Sequence, residues 1–338
     1  MEKVAFMNGG TFIYWSSIIM TLAVAAAVLF FVAVYLGKQG SGTALAIAIP
    51  VAMFSSLLLA RLIHWYCRTD AYESLQAAMT DYTWGGYALM GVFAGCFLTA
   101  VLLRIFRVSR NLPQMLDAMA IAGGIGIAVG RLASLFNSSA RGIIVPDSWG
   151  MPFAYPVTNA VSGVVENRLA TFMLQSITTA AIVAILLVVM LGYKIARKKL
   201  PDGDVCLLFL LMYGGCQIVL DSTRYDSLFM RSNGFISIVQ ILGLVFMLAA
   251  VVLFSIRMVR TRGLKIWQFL LWLGFAGSMG AAAYMEYHVQ RHGDQAALAY
   301  SVMSAGILVA IILTVIIRSI SMRAGKVPVA VETEEESE

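Results

Sequence analysis

Gly130-Arg131-Leu132-Ala133-Ser134-Leu135-Phe136-Asn137-Ser138-Ser139-Ala140-Arg141-Gly142 is the stretch on which the reading of this chain turns. An apolar run over 113–136 leads into it, and the longest polar connection, 137–168, leads out. A run of about 20 apolar residues is enough to cross a bilayer as a helix. Arg131 therefore falls where a span meets a polar loop. Charge in or beside a bilayer is costly, so such an arginine marks a functional site by default. The competing reading is a juxtamembrane arginine that snorkels to lipid phosphates.

Working outward, runs of spanning length recur at 12–37, 43–66, 83–106, 113–136, 169–193, 204–221, 233–256, 265–289 and 296–318. The 338 residues are 60% hydrophobic and 12% charged, with mean hydropathy +0.84. Soluble domains carry about 25% charged residues. The fold class expected is all-α: a polytopic helical membrane protein of about nine transmembrane helices. The run 204–221 is the shortest. Met1–Ser17 lacks a basic start, and the first run is too long for a signal h-region, so it is expected to be an uncleaved span.

Charge sets the expected orientation. Alternate connections hold Lys38; Arg104, Arg107 and Arg110; Lys194, Arg197, Lys198 and Lys199; Arg257, Arg260, Arg262 and Lys265; and Arg318, Arg323 and Lys326, fifteen of the 24 lysines and arginines. Positive charge stays on the cytoplasmic side. The N-terminus is therefore expected outside and the C-terminus in the cytoplasm, where anionic headgroups attract these bases. No basic cluster is interleaved with aromatics, so nucleic acid is not an expected partner. The cysteines Cys67, Cys96, Cys206 and Cys216 show no C-x-x-C spacing, and the three histidines show no ligand spacing, so neither metal nor cofactor is expected.

The outer side holds Lys3, Arg61, Arg68, Arg131, Arg141, Arg168, Arg224, Arg231 and Arg291, arginines but for one, set among carboxylates such as Asp221 and Glu166. A planar, permanently charged fork grips phosphate in a bidentate way that lysine does not. Each one singly could equally be a surface ion pair. Their concentration on one face is what suggests a phosphate site.

Five motifs lie in order along the chain. Arg61 and His64 are three apart and share a helix face, followed by the interfacial aromatics Trp65 and Tyr66. Trp84-Gly85-Gly86-Tyr87-Ala88-Leu89-Met90-Gly91 runs on to Gly95, and Gly91-x-x-x-Gly95 is also a small-residue pattern for close helix packing. The quoted Gly130–Gly142 stretch follows. Then comes Tyr213-Gly214-Gly215-Cys216-Gln217-Ile218-Val219-Leu220-Asp221-Ser222-Thr223-Arg224, and last Gly234 to Gln240.

Together these resemble the prolipoprotein diacylglyceryl transferases over roughly 12–257. The family signature reads Gly-Arg-x-Gly/Ala-Asn-Phe-hydrophobic-Asn-x-Glu-x-x-Gly. Gly130, Arg131, Ala133, Phe136, Asn137 and Gly142 fit it, while Ser134, Leu135 and Ser139 depart. Arg61 matches the arginine of a Gly-Arg-x-Gly-Tyr element, with His64 where its Tyr stands. Gly85, Gly86, Gly91 and Gly95 match a glycine-rich element in which Met90 occupies the place of a functional His. Tyr213, Gly214 and Arg224 match a Tyr-Gly element, with Asp221 for its Glu and Gln217 for an Arg. Gln240 is in register with a Gly/Ser-x-Gln element opening the last family helix.

The resemblance implies transfer of a diacylglyceryl group from phosphatidylglycerol to the thiol of a lipobox cysteine on a prolipoprotein signal peptide, in the bacterial cytoplasmic membrane. The catalytic set expected is Arg131, His64 and Tyr213: the resemblance implies Arg131, while His64, the one outer-face histidine within the family-like core, is the expected replacement base, with Tyr213 orienting it. The resemblance implies Arg61, Asn137, Gly85, Gly86, Asp221, Arg224 and Gln240 as substrate-binding residues. The organisation expected is a seven-helix core over 1–257 with the outer loop 137–168, two added helices over 258–320, and an acidic cytoplasmic tail over 321–338. The alternative is a non-catalytic relative that binds anionic phospholipid or a membrane partner. A transporter is weaker, because no matched pair of broken helices suggests inverted repeats.

Overall fold

A computed structural model describes residues 3–80, 86–109, 111–137, 139–159, 162–230, 233–292 and 295–323. Among the described residues nine helices follow the apolar runs and a tenth, the short α3, stands between the second and third: α1 (Trp15–Gly37), α2 (Gly42–Cys67), α3 (Leu75–Thr80), α4 (Leu89–Ile105), α5 (Leu112–Arg131), α6 (Thr171–Ile195), α7 (Asp204–Ser222), α8 (Ile238–Arg262), α9 (Ile266–His292) and α10 (Ala296–Arg323). Eight are long and apolar enough to cross a membrane, and α4, of 17 residues, is the shorter ninth. The protein is a polytopic helical membrane protein.

Between the helices stand three antiparallel hairpins: β1–β2 (Val4–Asn8, Thr11–Tyr14), β3–β4 (Ala154–Thr158, Val165–Leu169) and β5–β6 (Phe229–Met230, Asn233–Ser237). If α1, α2, α4, α5, α6 and α7 each cross once, connectivity puts all three hairpins and the 68–80 segment on one face. The 137–168 stretch, expected as a polar loop, thus holds most of a hairpin.

Two compact units divide the chain at Met247. In the first, α2 packs on α4, α1 on α5, and α5 on α6 and α7. Gly91 makes the α2–α4 approach possible: a Cβ there would overlap the backbone of Ala60. One turn on, Ser55 Oγ lies 2.8 Å from Thr99 Oγ1 and 3.0 Å from the Gly95 carbonyl. The small-residue reading of these glycines is therefore the one their packing supports. Gly91→Ala should cost about 1–3 kcal/mol by overpacking, because the obstacle is backbone rather than a flexible side chain. Gly123→Ala, with open space at its Cβ, is the matched control and should leave the thermal midpoint in detergent unchanged or raised.

On the opposite face a staple joins four segments. Asp117, fully buried on α5, accepts Lys38 Nζ at 2.5 Å, Gly203 N at 2.9 Å and Cys206 N at 2.8 Å. Lys38 also lies 3.9 Å from Asp202, whose carboxylate accepts Asn111 Nδ2 at 2.7 Å. Gln114 Nε2 donates to the Lys38 carbonyl. Asp117 thus caps the start of α7 rather than its own helix. A carboxylate there satisfies orphan N–H groups and complements the helix dipole.

In the second unit α9 packs along α10, with Gly306 against the Ser278 carbonyl. Trp272 Nε1 on α9 donates to Ser255 Oγ on α8 at 2.9 Å.

Candidate active site

Arg131 ends α5, and a 3-10 turn over Leu132–Leu135 follows it. The side chain is partly buried, within electrostatic reach of Tyr213, Asp221, Arg224 and Asp226. Tyr213, on α7, is 1% exposed and within electrostatic reach of Arg131. Phe93 of α4 and Phe209 of α7 each pack on the Tyr213 ring at 5.3 Å.

The two arginines near Tyr213 differ in how they are neutralised. Arg224 Nη1 donates to Asp221 Oδ1 at 3.1 Å and its Nε to Asp226 Oδ1 at 3.0 Å. Burial pulls the Arg224 guanidinium down, and the two carboxylates more than reverse this, holding its pKa above the usual arginine value. Asp221, 1% exposed, also accepts Ser237 Oγ at 2.5 Å, and Asp226 accepts the Ala140 N–H at 2.8 Å. Gln240 closes the chain: its Oε1 accepts Ser237 N at 3.0 Å and its N–H donates to Ser237 Oγ at 3.1 Å. One network so joins the end of α7, the start of α8 and the loop after Arg131. Arg131 differs: among the described residues no carboxylate lies within 4.0 Å of it.

The loop is shaped by a residue that sequence reasoning did not single out. Arg141 is 2% exposed, its guanidinium 4.2 Å from the Tyr155 ring and 4.4 Å from the Phe172 ring. Its Nη2 donates to the carbonyls of Ser134 and Asn137 at 2.7 and 2.8 Å, bracketing the turn that carries Arg131. Burial, opposed in part by Tyr155, Tyr225 and Asp226, pulls its pKa below the usual arginine value. Asn137 itself is exposed, and its Oδ1 accepts both Ser139 N and Ser139 Oγ, so it organises the same turn. Farther out, Arg168 pairs with Glu166 at 2.7 Å and stacks on Tyr225. Hydrogen bonds from Asn159 and Arg168 hold the Glu166 carboxyl below the usual carboxylate range.

A second cluster caps the end of α2. Arg61 is 3% exposed; its Nε donates to the Ala78 carbonyl at 2.5 Å, its Nη1 to the Gly86 carbonyl at 2.9 Å, and the rings of Tyr72 and Tyr87 flank it at 5.0 and 5.4 Å. The structure thus shows Arg61 clamping the returning chain. Gly86 has φ of +84°, and a Cβ there would meet His64 Cε1 at 2.8 Å and Arg61 Nη1 at 2.9 Å, so only glycine fits. His64 Nδ1 lies 2.9 Å from Tyr72 Oη. The partner expected for His64 was Tyr213; the residue that holds its ring is Tyr72, because the turn after α2 brings Tyr72 back over the helix end. Gly85 lies outside the described residues. Met90 is 4% exposed on α4.

Gln217, read from the resemblance as standing for an arginine, is 1% exposed and its Oε1 accepts Gln175 Nε2 at 2.8 Å. The remaining amide atoms, Gln217 Nε2 and Gln175 Oε1, have no partner among the described residues. Among the described residues no group of His, Cys, Asp or Glu could hold a metal ion.

Fold and site together define a multi-pass helical membrane protein with a buried arginine network at the ends of α5 and α7, in which Arg131 has no carboxylate within 4.0 Å among the described residues. The family description "Prolipoprotein diacylglyceryl transferase" matches residues 3–256, and the chain belongs to that family. Relatives named phosphatidylglycerol–prolipoprotein diacylglyceryl transferase include that of Finegoldia magna, 26% identical over 75% of this chain and 94% of its own. That of Dehalococcoides mccartyi is 27% identical over 76% and 94%, and that of Clostridium novyi 27% identical over 60% and 75%.

Proposed function

We propose that this protein transfers the diacylglyceryl group of phosphatidylglycerol to the thiol of a prolipoprotein cysteine. The observation that carries the reading is the unneutralised Arg131 beside Tyr213, in a site whose other nearby arginine, Arg224, is already held by two carboxylates. A fixed cation in a water-poor site is what a departing phosphate needs. In the reaction the cysteine sulfur attacks the glycerol carbon that bears the phosphate. The C–S bond forms, the C–O bond to phosphate breaks, and glycerol phosphate leaves.

Arg131 grips the phosphate as charge builds on it. Asp221, Arg224 and Gln240 fix the frame around it, and Asn137 shapes the turn. The thiol proton goes to His64 Nε2, in the tautomer whose Nδ1–H donates to Tyr72 Oη; Arg61 and Gly86 build the wall on that side, and Gly85, a substrate-binding residue in this reading, lies outside the described residues. The hairpin face is outside and both the 38–42 turn and the C-terminus are cytoplasmic, as the arginine and lysine asymmetry supports.

Complementation tests the reading. The gene should rescue a strain depleted of its own transferase, and failure of a well-expressed, inserted protein would leave the lipid-binding, non-catalytic reading. Orientation is checked with a reporter active only in the cytoplasm. It should be active when fused after residue 338 and silent at residue 150, and the reverse pattern would overturn the assignment.

A further inference from the structure

A groove of about 570 Å³ runs along the second unit between α8 and α9. Its walls are apolar, with Leu248, Val252 and Ile256 on α8 and Trp272 and Phe275 on α9; Arg260 stands at one end. The one polar pair inside, Trp272 Nε1 and Ser255 Oγ, is mutually satisfied at 2.9 Å. The lining therefore offers a ligand a dry, greasy surface and a single charge.

We propose that this groove is a binding site for an anionic glycerophospholipid, one acyl chain along the groove and the phosphate on Arg260. Two observations fix the occupant. The first is length. Leu248 and Arg260 are twelve residues apart, about 18 Å along a helix, close to the ~15 Å depth of one leaflet's hydrocarbon. A chain seated beside Leu248 thus brings its headgroup to Arg260. The second is charge. Arg257, three residues earlier, lies over the Phe254 ring at 5.7 Å. Arg260 is exposed, and no ion pair engages it among the described residues. Of the bases at this helix end Arg260 is the one that lines the groove, and its charge favours a phosphate that carries net negative charge, where a zwitterionic headgroup brings its own counter-ion. The site does not rest on the transferase reading: it lies in the 248–338 unit, and Arg131 lies in the other.

The test is photo-crosslinking with a benzophenone side chain introduced at Ile256, which is 43% exposed, in the full-length protein. The protein is placed in vesicles of phosphatidylcholine with a trace of alkyne-tagged phosphatidylglycerol, or of tagged phosphatidylcholine. The anionic probe should be captured about fivefold more than the zwitterionic one, the factor that one basic side chain near the surface confers. Arg260→Gln should bring the two to equality. Arg291→Gln, at the far end of α9, should leave the preference intact. Equal capture in the unsubstituted background, a preference that survives Arg260→Gln, or capture of a second copy of the chain in place of lipid would each overturn the proposal.

Discussion

Arg131→Lys is expected to lower the rate of diacylglyceryl transfer by about 10²–10³, the usual effect of losing one preorganised contact to developing charge. Charge is kept in this substitution, so a smooth electrostatic requirement would be met. Geometry is not kept. The guanidinium presents a flat fork to two phosphate oxygens, and an ammonium is a point charge that cannot. No carboxylate competes for Arg131 among the described residues, so the fork is available to the phosphate rather than tied down as in Arg224. Lipid binding at equilibrium should fall much less than turnover, since a lysine still attracts the ground-state phosphate. His64→Ala should likewise abolish turnover and spare phosphatidylglycerol retention, because the base acts on the thiol and not on the lipid. Transfer at full rate by both variants would remove Arg131 and His64 from the chemistry.

Asp117→Ala is expected to destabilise the first unit by about 3 kcal/mol. Removing one member of a buried ion pair typically costs 3–5 kcal/mol, and the lower figure applies because the Lys38 side chain is 17% exposed and can rehydrate in part. Two N–H groups at the start of α7 lose their acceptor at the same time. The thermal midpoint in detergent should fall by on the order of 10 °C. Asp117→Asn keeps one acceptor oxygen and should lose less. Transfer by the protein that remains folded at low temperature should be near normal, because the staple lies at the opposite membrane face from Arg131. An unchanged midpoint for Asp117→Ala would contradict the staple.

The helices were legible because spanning length is written in composition, and the shortest run shows where that reading gains from the fold. Residues 204–221 are a full helix, Asp204–Ser222, of 19 residues. Its start is set by Gly203 at φ +90° and by Asp117 across the bundle, neither of which a local window weighs. The run beginning at 83 failed in the other direction: helix α4 starts only at Leu89, because Gly86 turns left-handed to meet Arg61 and His64. The hairpins were not foreseen. Strands of two to five residues carry too little alternation to stand out beside apolar spans.

At the site, the motif positions Arg131, Tyr213, Asp221, Arg224 and Gln240, suggested by collinear order along the chain, are brought near one another by the fold. Their connections were not legible. Asp226 reaches back to Ala140, and Ser237 reaches Asp221, through contacts between distant parts of the chain. Arg141 sat inside the quoted stretch, yet only the rings of Tyr155 and Phe172 reveal it as the pin of the loop. His64 and Arg61 were read as neighbours on one helix face, which they are, but the chain that folds back over them at Tyr72 and Ala78 gives Arg61 its partners.

The most direct measurement gives the purified protein, in vesicles containing phosphatidylglycerol, a peptide bearing a lipobox cysteine, and follows peptide mass together with glycerol phosphate released. The account predicts that the peptide gains one diacylglyceryl group for each glycerol phosphate freed, and that Arg131→Lys slows both by the same large factor while still retaining phosphatidylglycerol. A folded, inserted wild-type protein that retains the lipid and produces neither product would contradict it.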